Sequence, residues 1–201
     1  MKQPDSFLIN GIKSKYRFID LFAGIGGIRT GFEKVFKEKS EFVFASELDK
    51  YAQIAYNENY NEKPYGDITK INEEDVPNHD IVLAGFPCQA FSIAGHRKGF
   101  EDIRGTLFFD VARIVDKHKP QVVFLENVKG LRNHNGGKTL ATILNVLRND
   151  LGYFVPEPQI INAKDFGVPQ NRERIYIVGF HPSTGVTEFT YPEPTGEKVT
   201  F

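Results

Sequence analysis

The sequence predicts an α/β protein built on a doubly wound, largely parallel sheet. Short apolar runs that end in a glycine or an acidic residue alternate with segments in which apolar residues recur every three or four positions. The first apolar run also leads through a glycine-rich turn directly into a helical pattern. This alternation is typical of open sheets with helices on both faces, which bind ligands at the carboxyl ends of their strands.

The elements follow one another in a regular order along the chain. The predicted strands are residues 16–21, 41–46, 80–84, 122–125 and 175–180, and residues 154–162 are predicted to be extended. Helical periodicity marks residues 28–36, 52–56, 106–118 and 140–147. Asp49 is placed to cap the second helix. Phe22, Glu47, Asp67, Cys88 and Glu126 follow strands or extended pieces, so we expect them to converge at one edge of the sheet.

Composition limits the class of protein. A chain of 201 residues is long enough for one α/β domain, and 25 basic against 26 acidic residues give no support to a strongly basic nucleic-acid binder, although a local basic patch remains compatible. The single cysteine excludes an intramolecular disulfide and a multi-cysteine zinc site. No apolar run approaches the roughly 20 residues of a membrane helix, and the N-terminus is too polar for a signal peptide. We therefore expect a cytoplasmic protein without a membrane partner.

A small-molecule site is indicated near the first two strands. The glycines have the spacing Gly24-x-Gly26-Gly27, which does not meet the dinucleotide fingerprint G-x-G-x-x-G. Glu47 ends the second strand about 20 residues later, where a carboxylate can accept hydrogen bonds from both ribose hydroxyls. Asp67 either accepts from an exocyclic amine or caps a turn.

Two further strand ends carry chemistry. Cys88 follows a buried strand and Pro87; from composition alone it is either a nucleophile or a small buried hydrophobe. Glu126 follows an apolar strand, where partial desolvation lets a carboxylate hold or donate a proton.

The polar loop 95–105 is either a phosphate-contacting segment or a solvated surface loop. A P-loop is excluded because Arg132 stands where its first glycine is needed, and a zinc deaminase because Phe91 replaces its second cysteine.

Seven segments of the chain together resemble a known family. In order they are FIDLFAGIGGIRTGFE, SELDKYAQ, YGDIT, GFPCQAFSIAG, RGTLFFD, LENVKGL and QNRERIYIVGF. They are similar to the ordered motifs of DNA cytosine-5 methyltransferases of the bacterial restriction–modification type. The resemblance implies a Rossmann-like S-adenosylmethionine-dependent methyltransferase domain at residues 16–180, after a polar lead-in at 1–15. Residues 181–201 would begin a target-recognition region that is not visible here, so the chain is expected to be a fragment or one part of a split enzyme.

The resemblance also implies an activity and its residues. A methyl group would pass from S-adenosylmethionine to C5 of a cytosine flipped out of duplex DNA, leaving S-adenosylhomocysteine and requiring no metal. Cys88 would be the nucleophile, and Glu126 would bind the N3/N4 edge of the base. Arg174 would hold its O2, with Arg172 in support. The loop 89–104 would close over DNA, with contacts from Gln89, Ser92 and Arg104.

The cofactor-binding residues follow from the same resemblance. Phe22 would stack on adenine, and the turn containing Gly24, Ile25 and Gly27 would face the methionine part. Glu47 would bind the ribose and Asp67 the adenine amine, between pocket walls formed by Leu48, Ile68, Pro87 and Leu107. Leu48 departs from the bulky aromatic residue that close relatives often have there, which implies looser adenine packing.

The resemblance implies two partners, duplex DNA and a complementing C-terminal subunit or segment. It implies a location in the nucleoid of a bacterial cytoplasm. A tRNA cytosine methyltransferase of the same fold is an alternative, although the FPCQAFS segment argues against it. A non-catalytic cofactor- or DNA-binding module is another.

Overall fold

The computed structural model describes residues 14–87 and 107–196, in which six strands form one sheet. The spatial order is β2-β1-β3-β4-β6-β5. The strands are β1 (Tyr16–Leu21), β2 (Ser40–Ser46), β3 (Ile81–Ala84), β4 (Val122–Val128), β5 (Gln159–Asn162) and β6 (Glu173–Phe180).

Four α-helices lie in the described part of the chain: α1 (Gly27–Phe36), α2 (Lys50–Tyr60), α3 (Leu107–His118) and α4 (Lys138–Asn145). Asp49 caps α2 as predicted, because its Oδ1 accepts from the backbone N–H of Ala52 at 2.8 Å. None of the helices in residues 14–87 and 107–196 has both the length and the apolar composition needed to cross a membrane.

The sheet is largely parallel, as the sequence predicts. β1 pairs in parallel with β2 and β3, and β3 pairs in parallel with β4. The exception is β6, which runs antiparallel to both β4 and β5. The connection from β5 to β6 contains only a single 3-10 turn, Ala163–Phe166, which is too short for the crossover that parallel strands need, so the chain returns in the opposite direction.

Helices cover both faces of the sheet. On one face, Phe18 of β1 and Leu83 of β3 pack with Phe32 and Phe36 of α1. On the other, alternate residues of the same strands join the larger core formed with α3 and α4, including Ile19, Val82, Ile114, Val115, Ile143 and Leu147. Because β1, β2, β3 and β4 run parallel, their carboxyl ends lie at one edge of the sheet, and the segments that follow them form the candidate site there.

The position of Glu126 differs from the prediction. We expected the fourth strand to end at Leu125, with Glu126 beyond it. Instead β4 continues to Val128, and Glu126 lies opposite Tyr176 of β6. The antiparallel partner extends the ladder past the apolar run, so the carboxylate is held by a strand rather than by a loop.

Two ionisable groups outside the cleft lining are buried: Asp20 in β1 and His79, two residues before β3. Asp20 of β1 is 1% exposed, and neither of its carboxylate oxygens has a hydrogen-bond partner among the described residues. Burial raises the pKa of Asp20 to about 7, against the opposing effect of Arg29. His79 is 7% exposed, with Nδ1 placed 2.7 Å from the Pro77 carbonyl oxygen. Burial lowers the pKa of His79 to about 4.

These two shifts predict opposite pH dependences of stability. The folded state keeps a proton on Asp20 that the unfolded chain releases above about pH 4, so this group lowers the free energy of unfolding as pH rises from about 4 to 7. His79 stays neutral when folded but gains a proton when unfolded, so it lowers the free energy of unfolding as pH falls from about 6.5 to 4. Over the shared window the two effects nearly cancel.

Asp20→Asn is therefore expected to expose the contribution of His79. Its free energy of unfolding should increase by about 3 kcal/mol between pH 4 and pH 8, because the effect of His79 is no longer offset, whereas that of the unsubstituted chain should change much less. Urea denaturation across this range measures the effect. Asp75→Asn, at an exposed carboxylate, is the matched control. An Asp20→Asn curve parallel to that of the unsubstituted chain would contradict the account.

Candidate active site

A cleft of about 660 Å³ opens at the carboxyl edge of the sheet. Connections after β1, β2 and β3, together with the start of α3, supply its walls. The lining residues are Phe22, Ser46, Glu47, Leu48, Asp49, Lys50, Tyr51, Gly66, Asp67, Ile68, Gly85, Pro87 and Leu107. Seven of the ten residues predicted to bind a cofactor therefore line one cavity.

The glycine turn between β1 and α1 has an unusual backbone. Gly24 and Gly26 have φ of 56° and 90°, a region that side chains rarely enter. Phe22 also has a positive φ of 56°, which is uncommon for a bulky residue and stores backbone strain at the entrance to the turn. This conformation directs the chain sharply from the strand into α1, which begins at Gly27. Ile25 is 60% exposed at the outside of the turn.

Glu47 connects the glycine turn to the segment after β2. Its Oε2 accepts from the Gly24 N–H at 2.8 Å, and its Oε1 accepts from the Asp49 N–H at 2.8 Å. Each carboxylate oxygen has a further lone pair, so a fixed Glu47 keeps the capacity to accept from two neighbouring hydroxyls of a ligand. The predicted ribose-binding geometry is compatible with this arrangement.

Asp67 does cap a turn, the second of the two roles that the sequence left open. Its Oδ1 accepts from the backbone N–H of Thr69 at 3.0 Å and from the Thr69 hydroxyl at 2.7 Å. These hydrogen bonds hold the pKa of Asp67 below its usual range. Since Asp67 also lines the cleft, a charged carboxylate faces the ligand space.

The residues predicted to form the apolar walls of the pocket line the cleft, but their exposed fractions differ widely. Ile68 is 4% exposed and belongs to the core, whereas Leu48 is 70% exposed. Leu107, the first residue of α3, and Pro87 complete this lining. With Glu47, Asp49 and Asp67 against Lys50, the described lining carries an excess of negative charge, which disfavours a polyphosphate and suits a cationic ligand.

The predicted catalytic carboxylate lies beside two arginines. Glu126 Oε1 is 2.8 Å from Arg174 Nε and 3.6 Å from Arg172 Nη2. The Glu126 side chain is 17% exposed and that of Arg174 is 21% exposed, so this pair is largely shielded, while Arg172 is more open at 48%. The pair is correspondingly less screened than a surface ion pair.

Gly85 separates the cleft from this carboxylate. A Cβ built on Gly85 would lie 3.7 Å from Glu126 Oε2 and 3.9 Å from the Phe22 carbonyl oxygen. Gly85 also lines the cleft. Because no side chain stands at this position, the cleft and the Glu126 carboxylate approach each other closely.

Asn127, which the sequence patterns do not single out, holds the backbone next to the cleft. It is 2% exposed, and its Nδ2 donates to the Phe86 carbonyl oxygen at 2.7 Å, just before Pro87. Its Oδ1 accepts from the Val128 N–H at 2.8 Å. Val123, Leu125 and Asn127 share the inward face of β4, so a polar side chain at the third inward position was the available signal.

Four predicted site residues lie outside the described residues: the nucleophile Cys88 and the DNA contacts Gln89, Ser92 and Arg104. Pro87, directly before Cys88, is the last residue described on that side, and it lines the cleft.

Solved structures place the fold in a class. A putative DNA modification methyltransferase encoded within a prophage, from E. coli, matches 87% of this chain and 49% of that chain with a TM-score of 0.68 and 22% identity. DNMT2 of Spodoptera frugiperda matches 89% of this chain and 54% of that chain, with a TM-score of 0.68 and 22% identity. The sheet and helices of this chain have the Rossmann-like fold of these two proteins.

Sequence comparison identifies the family. The family model for C-5 cytosine-specific DNA methylases matches residues 16–200. The Type II methyltransferase M.HpaII of Haemophilus parainfluenzae is 62% identical over 192 residues, which cover 94% of this chain and 53% of the relative. M.HhaI of Haemophilus parahaemolyticus is 53% identical over 178 residues, covering 89% and 53%. The chain belongs to the C-5 cytosine-specific DNA methylase family and spans about half the length of these relatives.

Proposed function

We propose that this chain is the catalytic part of a DNA cytosine-5 methyltransferase of a restriction–modification system, with S-adenosylmethionine as methyl donor. The approach of the cleft and the Glu126–Arg174 pair on either side of Gly85 carries this proposal, because methyl transfer needs a donor pocket and a base pocket in contact. Residues 16–180 would form the catalytic domain, and residues from 181 onward would lead into target recognition.

The cleft fits the proposed cofactor by its chemistry. Glu47 would accept from the ribose hydroxyls, Asp67 from the adenine amine, and Phe22 would stack on the base. Apolar contacts would come from Leu48, Ile68, Pro87 and Leu107, and the turn containing Gly24, Ile25 and Gly27 would face the methionine part. S-adenosylmethionine supplies an electrophilic methyl group on a sulfonium, whose positive charge suits the acidic lining of this cleft.

The proposed chemistry begins at Cys88. C5 of cytosine is a weak nucleophile, so the Cys88 thiolate would add to C6 and transfer electron density to C5. C5 would then bond to the methyl carbon as the bond from that carbon to the sulfonium sulfur breaks, with S-adenosylhomocysteine as the leaving group. Loss of the C5 proton and breakage of the C6–S bond restore the aromatic ring and release the thiolate. A thiol at its ordinary pKa is mostly protonated at neutral pH, so this step needs local activation of Cys88.

Glu126 and the two arginines would bind the flipped base. A carboxyl group on N3 and N4 stabilises the ring as it gains electron density, since a proton held at N3 neutralises the developing charge. Arg174 forms an ion pair with Glu126 and would also hold O2, while Arg172, being more exposed, would support the site from its rim. Asn127 would fix the backbone just before Cys88 through the Phe86 carbonyl.

Target recognition would come from a region of the relatives that lies outside the part they share with this chain. This region would be either a continuation of this chain or a complementing subunit. Gln89, Ser92 and Arg104 would contribute contacts to duplex DNA from the catalytic side. The site of action would be the nucleoid of a bacterial cytoplasm.

The proposal is tested by a methyl-transfer assay on two proteins. One is this chain alone; the other joins it to the unmatched C-terminal half of M.HpaII from Haemophilus parainfluenzae. With tritiated S-adenosylmethionine, the chimera is expected to label C5 of cytosine in duplex DNA and to leave tRNA unlabelled. Labelling of tRNA alone would replace the DNA substrate by tRNA, and cofactor binding without any transfer would favour a non-catalytic module.

A further inference from the structure

The last turn of α2 contacts the glycine turn from outside the cleft. Asn59 Nδ2 donates to the Ile25 carbonyl oxygen at 2.9 Å, and the Tyr60 hydroxyl donates to the Gly26 carbonyl oxygen at 2.7 Å. Two consecutive carbonyls of the turn are therefore held by two consecutive side chains that lie 34 residues further along the chain.

The Tyr60 contact is part of a small network that also caps α1. The Gly26 carbonyl oxygen lies within hydrogen-bond distance of three donors: the backbone N–H of Thr30 at 2.9 Å, the Thr30 hydroxyl at 3.0 Å and the Tyr60 hydroxyl at 2.7 Å. The Thr30 hydroxyl lies 2.6 Å from the Tyr60 hydroxyl and can donate to it. The first turn of α1 and the end of α2 are thus joined at one carbonyl group.

Steric contact reinforces these hydrogen bonds. A Cβ built on Gly26 would overlap the Tyr60 ring, so the ring occupies the space that a side chain would fill. Tyr60 is itself restrained, because the Arg29 guanidinium stacks 4.0 Å above the centre of its ring. Arg29 is 6% exposed and is bound to Glu62 at 2.6 and 3.0 Å, so its position is fixed. The contact to Gly26 therefore comes from a rigid group.

We propose that Asn59 and Tyr60 are positioning residues that hold the glycine turn in the orientation that binds the methionine part of the cofactor. This inference rests on the proposed function, in which the turn faces that part of S-adenosylmethionine. The Ile25 carbonyl shares its peptide unit with the Gly26 N–H, which donates to the Ala23 carbonyl oxygen at 2.8 Å and closes the turn. The Gly26 carbonyl shares its peptide unit with the Gly27 N–H. Because the C=O and N–H bonds of a peptide unit point in opposite directions, holding the Gly26 carbonyl directs the Gly27 N–H to the opposite side of the turn. The N–H groups of a glycine turn before a helix are well suited to a carboxylate.

A positioning role for Asn59 and Tyr60 predicts different effects on two ligands, whereas a purely structural role predicts the same effect on both. Asn59 and Tyr60 touch the turn but do not line the cleft, so they affect ligand affinity only through the turn. S-adenosylhomocysteine keeps the amino-acid part of the cofactor and lacks only the transferred methyl group, whereas adenosine contains only the nucleoside. Loosening the turn should weaken binding of the first ligand and leave the second unchanged.

The test is isothermal titration of both ligands into Tyr60→Phe and Asn59→Ala, made in this chain and in the chimera with M.HpaII. Each substitution removes one or two hydrogen bonds, so we expect S-adenosylhomocysteine to bind roughly five- to tenfold more weakly. The dissociation constant for adenosine should stay within about twofold. Asn57→Ala is the matched control on the same helix, since the exposed Asn57 side chain does not reach the turn.

Unchanged affinity for S-adenosylhomocysteine in both variants would overturn the inference, and so would an equal weakening of both ligands, which indicates general loss of structure. If the unsubstituted proteins bind neither ligand, the proposed function itself fails, and the positioning role fails with it. Thermal unfolding of each variant identifies any that do not fold. Because Tyr60→Phe keeps the ring against Gly26, it tests the hydroxyl alone.

Discussion

Cys88→Ser is expected to reduce methyl transfer by the chimera with M.HpaII by more than about 10³-fold. A serine hydroxyl is ionised far less readily than a thiol and is a much weaker nucleophile toward C6 of cytosine. Affinity for S-adenosylmethionine should change by less than about twofold, because the proposed role of Cys88 is toward the base. Tritium transfer to duplex DNA measures the first quantity, and calorimetric titration measures the second.

The single cysteine of the chain provides an internal check on this result. Modification of the isolated chain by a thiol reagent can occur only at Cys88, so its rate against pH reports the thiolate population of that one residue. A Cys88→Ser variant that retained more than about a tenth of the activity would contradict the nucleophilic role.

Glu126→Gln is expected to lower kcat by roughly 10²- to 10⁴-fold. Glutamine keeps the shape of the side chain and can still accept from Arg174, but it cannot hold a proton for the ring nitrogen of the base. The KM for S-adenosylmethionine should remain close to its original value, since Glu126 does not line the cleft. Single-turnover methyl transfer and cofactor titration separate the two effects.

A matched control for this substitution is available on the surface. Glu157 pairs with Arg148 at 2.7 Å, and its side chain is 83% exposed. Glu157→Gln therefore removes an arginine-bound carboxylate that has no part in the proposed chemistry. Equal activities of the two variants, or a loss of cofactor affinity in Glu126→Gln, would place Glu126 outside the catalytic role.

Local patterns predicted most of the fold. β1 was predicted with the bounds that the structure has, because an apolar run followed by a glycine turn marks clearly where the strand ends. The direction of β6 was not predictable in the same way, since it depends on which strands lie beside it. The extension of β4 to Val128 has the same origin in long-range pairing with β6.

Site residues were predictable from the sequence where their side chains would contact the ligand directly. Glu47 and Asp67 could be placed at the cleft because they follow strand ends near a glycine turn. The roles of Asn127 and Tyr60 depend on contacts to backbone carbonyls 41 and 34 residues away, and spacing in the sequence carries no information on such contacts. Groups that hold the backbone in place were therefore the ones missed.

Covalent trapping tests the central claim most directly. The chimera with M.HpaII is incubated with S-adenosylmethionine and a duplex that contains 5-fluorocytosine at the target base. After methyl transfer the fluorine cannot leave C5 as a proton would, so the C6–S bond cannot break. We predict a stable protein–DNA adduct that carries one methyl group, with the modified base mapped by mass spectrometry to the peptide that contains Cys88. A chimera that binds both cofactor and duplex yet forms no adduct, or forms one at another residue, would contradict the assignment.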